Sequence, residues 1–202
     1  AHLADPQFAQ DLDEVLRRAR AAGVGGIVAV GADLHSSRAC IELAARESDV
    51  WATVGIHPDD AEQATAEALG VLRELAQRPK VVAVGEIGLD YYRMRAPKEV
   101  QRRALEQQVA LADELGLPVV IHNREASVDL LELLAPWGKQ RMATTGQPAG
   151  VFHCFTGDAA LARRIIAAGF VVSFAGPLTF RNAASLVAAA REVPLTATLV
   201  ET

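Results

Sequence analysis

Short apolar runs that are typical of buried strands alternate along this chain with helix-like segments. Seven runs are predicted as strands: Gly26–Gly31, Val50–Ile56, Lys80–Glu86, Pro118–Ile121, Val151–Phe152, Phe170–Phe174 and Ala197–Val200. Strict alternation of strand and helix with short connections predicts a parallel α/β sheet covered by helices. No glycine-rich dinucleotide loop follows the first predicted strand, which argues against a doubly wound cofactor-binding fold.

An eighth strand before Ala1 would make the fold a (β/α)8 TIM barrel, an architecture that usually needs about 250 residues. The chain of 202 residues starts at Ala1 without a methionine and stops at Thr202 within an apolar run. We therefore interpret residues 1–202 as a single barrel domain, truncated at both ends. The stretch Pro136–Gly150 has no hydrophobic period and is predicted as the one long loop.

Composition and charge bear on which molecules the protein binds and in which cellular compartment it works. The net charge of −5 provides no broad basic surface that would grip nucleic acid by charge alone. Cys40 and Cys154 are far apart and form no C-x-x-C pair, which favours a reducing, cytoplasmic setting. No apolar run approaches the roughly 18 residues that a membrane helix needs. The sequence indicates no protein partner.

Imidazole and carboxylate side chains occur at the predicted carboxyl ends of the strands. They are His57, Glu86, His122, His153 and Glu201, and His2 would follow a strand that preceded Ala1. Taken singly, a histidine at a strand end is more often a hydrogen-bonded loop residue, and a buried glutamate can simply pair with an arginine. In a (β/α)8 barrel, however, all these ends meet at one mouth. The joint pattern therefore predicts a hydrolytic metal site for Zn, Mn or Mg.

Arginines near these positions are candidates for binding substrate. Arg124 lies two residues after His122, so both side chains share one face of an extended strand and Arg124 could hold a phosphate. An ordinary salt bridge explains Arg124 about as well. Arg93 follows Tyr91 and Tyr92, and aromatic residues beside arginines suit a nucleotide, by stacking and phosphate contact. They suit a solvated loop nearly as well.

Five ordered motifs resemble those of the TatD family of metal-dependent deoxyribonucleases. They are G-I-H-P at 55–58, G-E-I-G-L-D at 85–90, H-N-R at 122–124, H-C-F-T-G at 153–157 and L-V-E-T at 199–202. The resemblance implies a (β/α)8 barrel with a site for two divalent metal ions. It implies His2, Glu86, His122 and His153 as metal ligands, with Glu86 bridging the ions, and it puts His57 near the site without making it a ligand. Two further ligands of the family, a first histidine and a final aspartate, would lie outside residues 1–202.

The resulting hypothesis is a metal-dependent phosphodiester hydrolase acting on DNA, an exonuclease in which two ions activate water. Glu86 is the predicted catalytic residue, and Arg124, His57 and Arg93 are predicted to contact substrate. One alternative is an ester or amide hydrolase on the same barrel. Many such barrels bridge their metals with a modified lysine, and no lysine ends a predicted strand here. A second alternative is a non-catalytic barrel that binds nucleic acid or a protein through a degenerate site.

Overall fold

A computed structural model describes all 202 residues as one parallel seven-stranded sheet with helices between the strands. The strands are β1 (Ile27–Val30), β2 (Val50–Val54), β3 (Val81–Asp90), β4 (Val119–Arg124), β5 (Gly150–Phe152), β6 (Val171–Phe174) and β7 (Thr198–Val200). The α-helices are α1 (Leu12–Ala21), α2 (Leu34–Arg46), α3 (Ala66–Ala76), α4 (Lys98–Leu115), α5 (Ser127–Thr145), α6 (Ala159–Ala167) and α7 (Ala184–Glu192). The predicted alternation and the predicted parallel pairing are confirmed.

The sheet is curled, and its strands follow chain order from β1 to β7. Residues of both outer strands, including Val28 of β1 and Val200 of β7, line one concavity, although these two strands do not pair with each other. Ala1 lies along the free edge of β1, since its amino group donates to the Val28 carbonyl and its own carbonyl accepts the Val30 N–H. The architecture is thus a half-barrel of the predicted (β/α)8 type.

Two apolar clusters support the strands that carry the candidate site. One packs β1 and β2 against α1, α2 and α3, and the larger one packs β3 to β6 against α4 to α7. Helix starts are fixed by local polar caps, as where Asp33 accepts the N–H of Ser36 and where Asp158 accepts that of Leu161. None of the helices combines the length and apolarity that crossing a membrane requires.

The predicted loop Pro136–Gly150 is wrong, because α5 continues through Pro136 as far as Thr145. The glycine that indicates a break belongs instead to a packing contact, and the proline lies exposed within the helix. A Cβ atom on Gly138 would lie 2.3 Å from the Ala168 carbonyl oxygen, so glycine allows α5 to approach the segment that precedes β6. Trp137 packs its ring near that of Phe170. Tertiary packing therefore overrides the local helix-breaking signal.

The predicted end of the third strand at Glu86 is also wrong, because β3 runs on to Asp90. Glycines within the motif permit this extension. A Cβ atom on Gly85 would lie 2.6 Å from Val120 and one on Gly88 would lie 2.1 Å from the His122 carbonyl oxygen, so only glycine lets β3 pair so closely with β4. Glu86 consequently lies inside a strand, and His122 lies inside β4 rather than after it.

Candidate metal centre

Glu86 is the centre of a cluster of histidines from separate segments of the chain. Its side chain is buried, with the residue 3% exposed. Oε1 lies 2.7 Å from Nδ1 of His122 and 2.7 Å from Nε2 of His153, and 3.3 Å from Nε2 of His57. Its other oxygen, Oε2, lies 3.4 Å from Nε2 of His2. Imidazole nitrogens therefore face both oxygens of one carboxylate.

Asp90 orients the imidazole of His122. One oxygen, Oδ1, accepts the backbone N–H groups of Tyr92 and Arg93, while Oδ2 lies 3.1 Å from Nε2 of His122. Because a carboxylate is an acceptor, Nε2 of His122 carries the proton. Nδ1 of His122 then has a free lone pair, and that lone pair faces Oε1 of Glu86.

Glu201 does the same for His153. Its Oε1 accepts the N–H of Cys154 at 2.5 Å and the hydroxyl of Ser173, and its Oε2 lies 3.4 Å from Nδ1 of His153. The proton of a neutral His153 is thereby placed on Nδ1, and the lone pair on Nε2 faces Oε1 of Glu86. Cys154 takes part through its backbone, and its thiol is not needed for this contact.

The pKa values reflect a strong mutual attraction in this cluster. Burial alone would raise the pKa of Glu86, but when N–H groups rather than lone pairs face Oε1, hydrogen bonds from His122, His153 and His57 hold that pKa well below its usual range. Burial would lower the pKa of His153, but hydrogen bonds to Glu201 and Glu86 outweigh it and raise the pKa to about 9. Burial likewise opposes the ionisation of Glu201, and His153 and Ser173 nevertheless lower its pKa to about 2. Both carboxylates therefore stay ionised and attract cations.

The donor set fits a metal cation. When His122 and His153 are neutral and oriented by Asp90 and Glu201, a nitrogen lone pair of each points at Oε1 of Glu86. These lone pairs repel the carboxylate oxygen, and only extra protons or a cation between them can remove that repulsion. Imidazole with carboxylate is a common ligand set for Zn, Mn and Fe, and second-sphere carboxylates of this kind orient such ligands in many metal sites. His57, Glu86 and His122 also have ligand atoms that lie within 4.8 Å of one another.

His57 differs from His122 and His153 because its N–H group, rather than a lone pair, faces Glu86. Its Nδ1 accepts the N–H of Asp59 at 3.1 Å, so a neutral His57 carries its proton on Nε2. That N–H points at Oε1 of Glu86 and at Nδ1 of His122, which lies 3.1 Å away. In this tautomer His57 donates a hydrogen bond to the cluster.

The two candidate arginines have different environments. Arg93 is paired, since its guanidinium lies 3.1 Å from Oδ2 of Asp59. Arg124 is exposed, makes no ion pair, and places its guanidinium carbon 4.8 Å from the ring centroid of Tyr92. The ordinary salt bridge considered for Arg124 is therefore not formed, whereas Arg93 does form one.

Sequence reasoning missed Asp90 and Ser173 as parts of the site. Alternation places Asp90 on the same face of β3 as Glu86, but that signal exists only if the strand continues past the glycines. Ser173 lies in β6 and binds Glu201, which directly follows β7. This contact depends on the pairing register, which a single sequence does not provide.

Comparisons with known proteins identify related sequences and structures. A family model described as "TatD related DNase" matches residues 1–202. The chain is 40% identical over 202 residues to an uncharacterized metal-dependent hydrolase, YabD, of Bacillus subtilis, covering 100% of this chain and 77% of that relative. It is 43% identical over 156 residues to a protein of Enterobacter lignolyticus named 3'-5' ssDNA/RNA exonuclease TatD, covering 77% of this chain and 58% of the exonuclease.

The fold is similar to that of a solved TatD homologue, YJJV of Escherichia coli. The TM-score is 0.88 at 30% identity, and the superposition covers 100% of this chain and 76% of that structure. A hydrolase of the TatD family from Entamoeba histolytica gives a TM-score of 0.85 at 27% identity, covering 100% of this chain and 71% of that structure. The chain thus spans only part of the length of each relative.

Proposed function

Because the chain belongs to the TatD-related DNase family, a family of hydrolases, we propose that it forms the centre of a metal-dependent phosphodiester hydrolase acting on DNA. The named activity of the Enterobacter relative supports a nucleic-acid substrate and exonuclease action. The observation that carries the proposal is the convergence of three imidazoles, one within β4 and two just after β2 and β5, on one buried carboxylate oxygen. A reducing, cytoplasmic setting belongs to the same proposal, and the two unpaired cysteines are compatible with it.

His2, Glu86, His122 and His153 would hold two divalent ions, Mg, Mn or Zn. Glu86 is suited to a bridging role because nitrogens face each of its two oxygens. Bound ions of this kind lower the pKa of water and stabilise charge on the attacking and leaving oxygens of a phosphodiester. Glu86 is therefore proposed as the residue on which catalysis depends most.

The remaining side chains act on the substrate. The Nε2–H group of His57, fixed in direction by Asp59, would donate a hydrogen bond to a substrate oxygen beside Glu86. Arg124 offers an uncommitted guanidinium for bidentate binding of a phosphate. Arg93 is already paired with Asp59, so its contribution to phosphate binding is weaker than that of Arg124.

The substitution Glu86→Gln tests this function in the protein that contains these residues. Glutamine keeps the size of the side chain but replaces one oxygen by an NH2 group, which cannot bind a cation. Metal-dependent hydrolysis of DNA is expected to be lost while the circular dichroism spectrum stays that of the wild type. Glu114→Gln, which alters an exposed carboxylate paired with Arg73, is the control. Full activity in Glu86→Gln would refute the assignment, and cleavage of small esters without cleavage of DNA would favour an ester hydrolase.

A further inference from the structure

Two adjacent tyrosines after β3 have opposite environments. The hydroxyl of Tyr91 donates to Asp129 at 2.7 Å, and its ring packs against the larger apolar cluster. Tyr92 is 62% exposed, and its hydroxyl makes no hydrogen bond within the protein. Tyr91 therefore has a structural explanation, whereas nothing in the fold explains a large exposed aromatic ring at position 92.

Arg124 is the side chain that Tyr92 contacts through its ring. The guanidinium carbon lies 4.8 Å from the ring centroid, within the range of a cation–π contact. Register fixes the pair, because Asp90 is opposite Arg124 in the β3–β4 ladder and the Tyr91 N–H donates to the Arg124 carbonyl. All five guanidinium N–H groups remain available, since the side chain makes no hydrogen bond or ion pair within the protein and contacts only the Tyr92 ring.

Asp90 connects this pair to the candidate metal centre. The same carboxylate accepts the N–H of Tyr92 on one oxygen and faces Nε2 of His122 on the other. Tyr92 and Arg124 thus lie at the carboxyl ends of β3 and β4, and Asp90 alone stands between Tyr92 and His122. An aromatic face and an uncommitted arginine occur together at the rim of the proposed site.

We propose that Tyr92 and Arg124 form a subsite for an unpaired nucleotide, in which Tyr92 stacks on the base and Arg124 binds the adjoining phosphate. This inference rests on the proposed function, because it assigns residues that would recognise the kind of single-stranded substrate named for the Enterobacter relative. A base that is paired and stacked in a duplex does not present its face to a side chain, whereas an unpaired base does. The subsite therefore selects single-stranded ends by stacking, without reading the identity of the base.

The test measures equilibrium binding, so that it does not depend on turnover. Fluorescence anisotropy would follow a labelled single-stranded oligothymidine and a blunt duplex of matched length, with chelator present. We expect Tyr92→Ala to weaken binding of the single strand by about 5- to 150-fold and to leave binding of the duplex nearly unchanged. Tyr92→Phe is expected to restore wild-type affinity, because stacking does not need the hydroxyl.

Two control variants distinguish a loss of stacking from a disturbed loop and from a loss of positive charge. Met94→Ala removes another exposed apolar side chain of the same loop, and Arg78→Ala removes an exposed arginine between α3 and β3, at the opposite end of that strand. Both are expected to bind the single strand like the wild type, whereas Arg124→Ala binds it more weakly. Unchanged affinity in Tyr92→Ala, equal losses for single strand and duplex, or no rescue by Tyr92→Phe would overturn the subsite. Failure of the proposed function would look different. The wild type would not hydrolyse DNA when metal is present, but Tyr92→Ala would still bind the single strand more weakly than the wild type.

Discussion

At the scale of single residues, Asp90 should control the metal affinity of His122 without touching a metal. In Asp90→Asn, the carbonyl oxygen can keep the N–H groups of Tyr92 and Arg93, and the NH2 group then faces Nε2 of His122. Two donors cannot pair, so His122 is expected to move its proton to Nδ1 and lose the lone pair that faces Glu86. We predict a 10- to 100-fold loss of Mn²⁺ affinity, measured by isothermal titration calorimetry.

The control for this prediction is Asp129→Asn. Asp129 also accepts hydrogen bonds, from Tyr91 and Arg102, but it does not contact the histidine cluster. Asp129→Asn is expected to bind Mn²⁺ like the wild type. Wild-type Mn²⁺ affinity in Asp90→Asn would show that the tautomer of His122 is not set by this carboxylate.

His57 should affect hydrolysis more than metal binding. Asparagine at position 57 can still accept the N–H of Asp59, but it removes the N–H that points at Glu86. For His57→Asn we predict nearly unchanged Mn²⁺ affinity and a 10- to 150-fold lower rate of DNA hydrolysis, the range expected for a lost hydrogen bond to a charged group. His122→Ala, by contrast, should lose Mn²⁺ binding. A loss of Mn²⁺ in His57→Asn equal to that in His122→Ala would make His57 a ligand.

At the scale of secondary-structure elements, Gly88 should be essential for the pairing of β3 with β4. Its φ is +150°, and a Cβ atom added at this position would lie 2.1 Å from the His122 carbonyl oxygen, which leaves no room for a side chain. We predict that Gly88→Ala lowers the free energy of unfolding by about 1–3 kcal/mol, measured by urea denaturation.

A glycine in α3 provides the opposite control. Gly70 has helical surroundings and no atom within 4 Å of an added Cβ, so Gly70→Ala is expected to stabilise the protein by about 0.4–1 kcal/mol. Equal effects of the two substitutions would contradict the close approach of β3 and β4.

Elements were predictable from the sequence where local pattern and tertiary packing agree. The apolar runs of β1, β2 and β6 appear directly as strands, and Asp158 marks the start of α6 as an N-cap. Prediction failed where glycine allows two elements to come into close contact. Gly138 brings α5 close to Ala168, and Gly85 and Gly88 bring β3 close to β4, so local signals for a break occur inside continuous elements.

The candidate site was predictable only in part for the same reason. His122 and His153 could be identified because each is adjacent to an apolar run, and Glu86 because a charge interrupts one. Two supporting contacts depend on strand extension and register: that of Asp90 with His122, and that of Ser173 with Glu201, the carboxylate that orients His153. The backbone N–H of Asp59 decides which nitrogen of His57 carries the proton. The spacing of residues in a sequence does not reveal such a contact.

At the scale of the whole molecule, metal binding should be linked to folding stability. His2, Glu86, His122 and His153 come from separate parts of the chain, so the proposed ligand set exists only when the curled sheet is formed. A ligand present at about 100 times its dissociation constant stabilises the native state by about 2.7 kcal/mol. For a chain of this size we expect Mn²⁺ to raise the melting temperature by about 5–10 °C.

Differential scanning calorimetry would check this linkage, with Glu86→Gln and Glu114→Gln as the variant pair. Glu86→Gln should lose the rise in melting temperature, while Glu114→Gln should keep it, because Glu114 pairs with Arg73 on the surface. An equal rise in the wild type and in Glu86→Gln would indicate that Mn²⁺ binds outside the histidine cluster.

The most direct test of the central claim is the release of nucleotides from end-labelled single-stranded DNA with Mg²⁺ or Mn²⁺, using the protein that contains these residues. We predict that release requires the metal, stops when chelator is added and is lost in Glu86→Gln. Release that persists in chelator, or in Glu86→Gln, would contradict a metal-dependent nuclease centred on Glu86. No release with metal bound and the fold intact would contradict the assignment of DNA as the substrate.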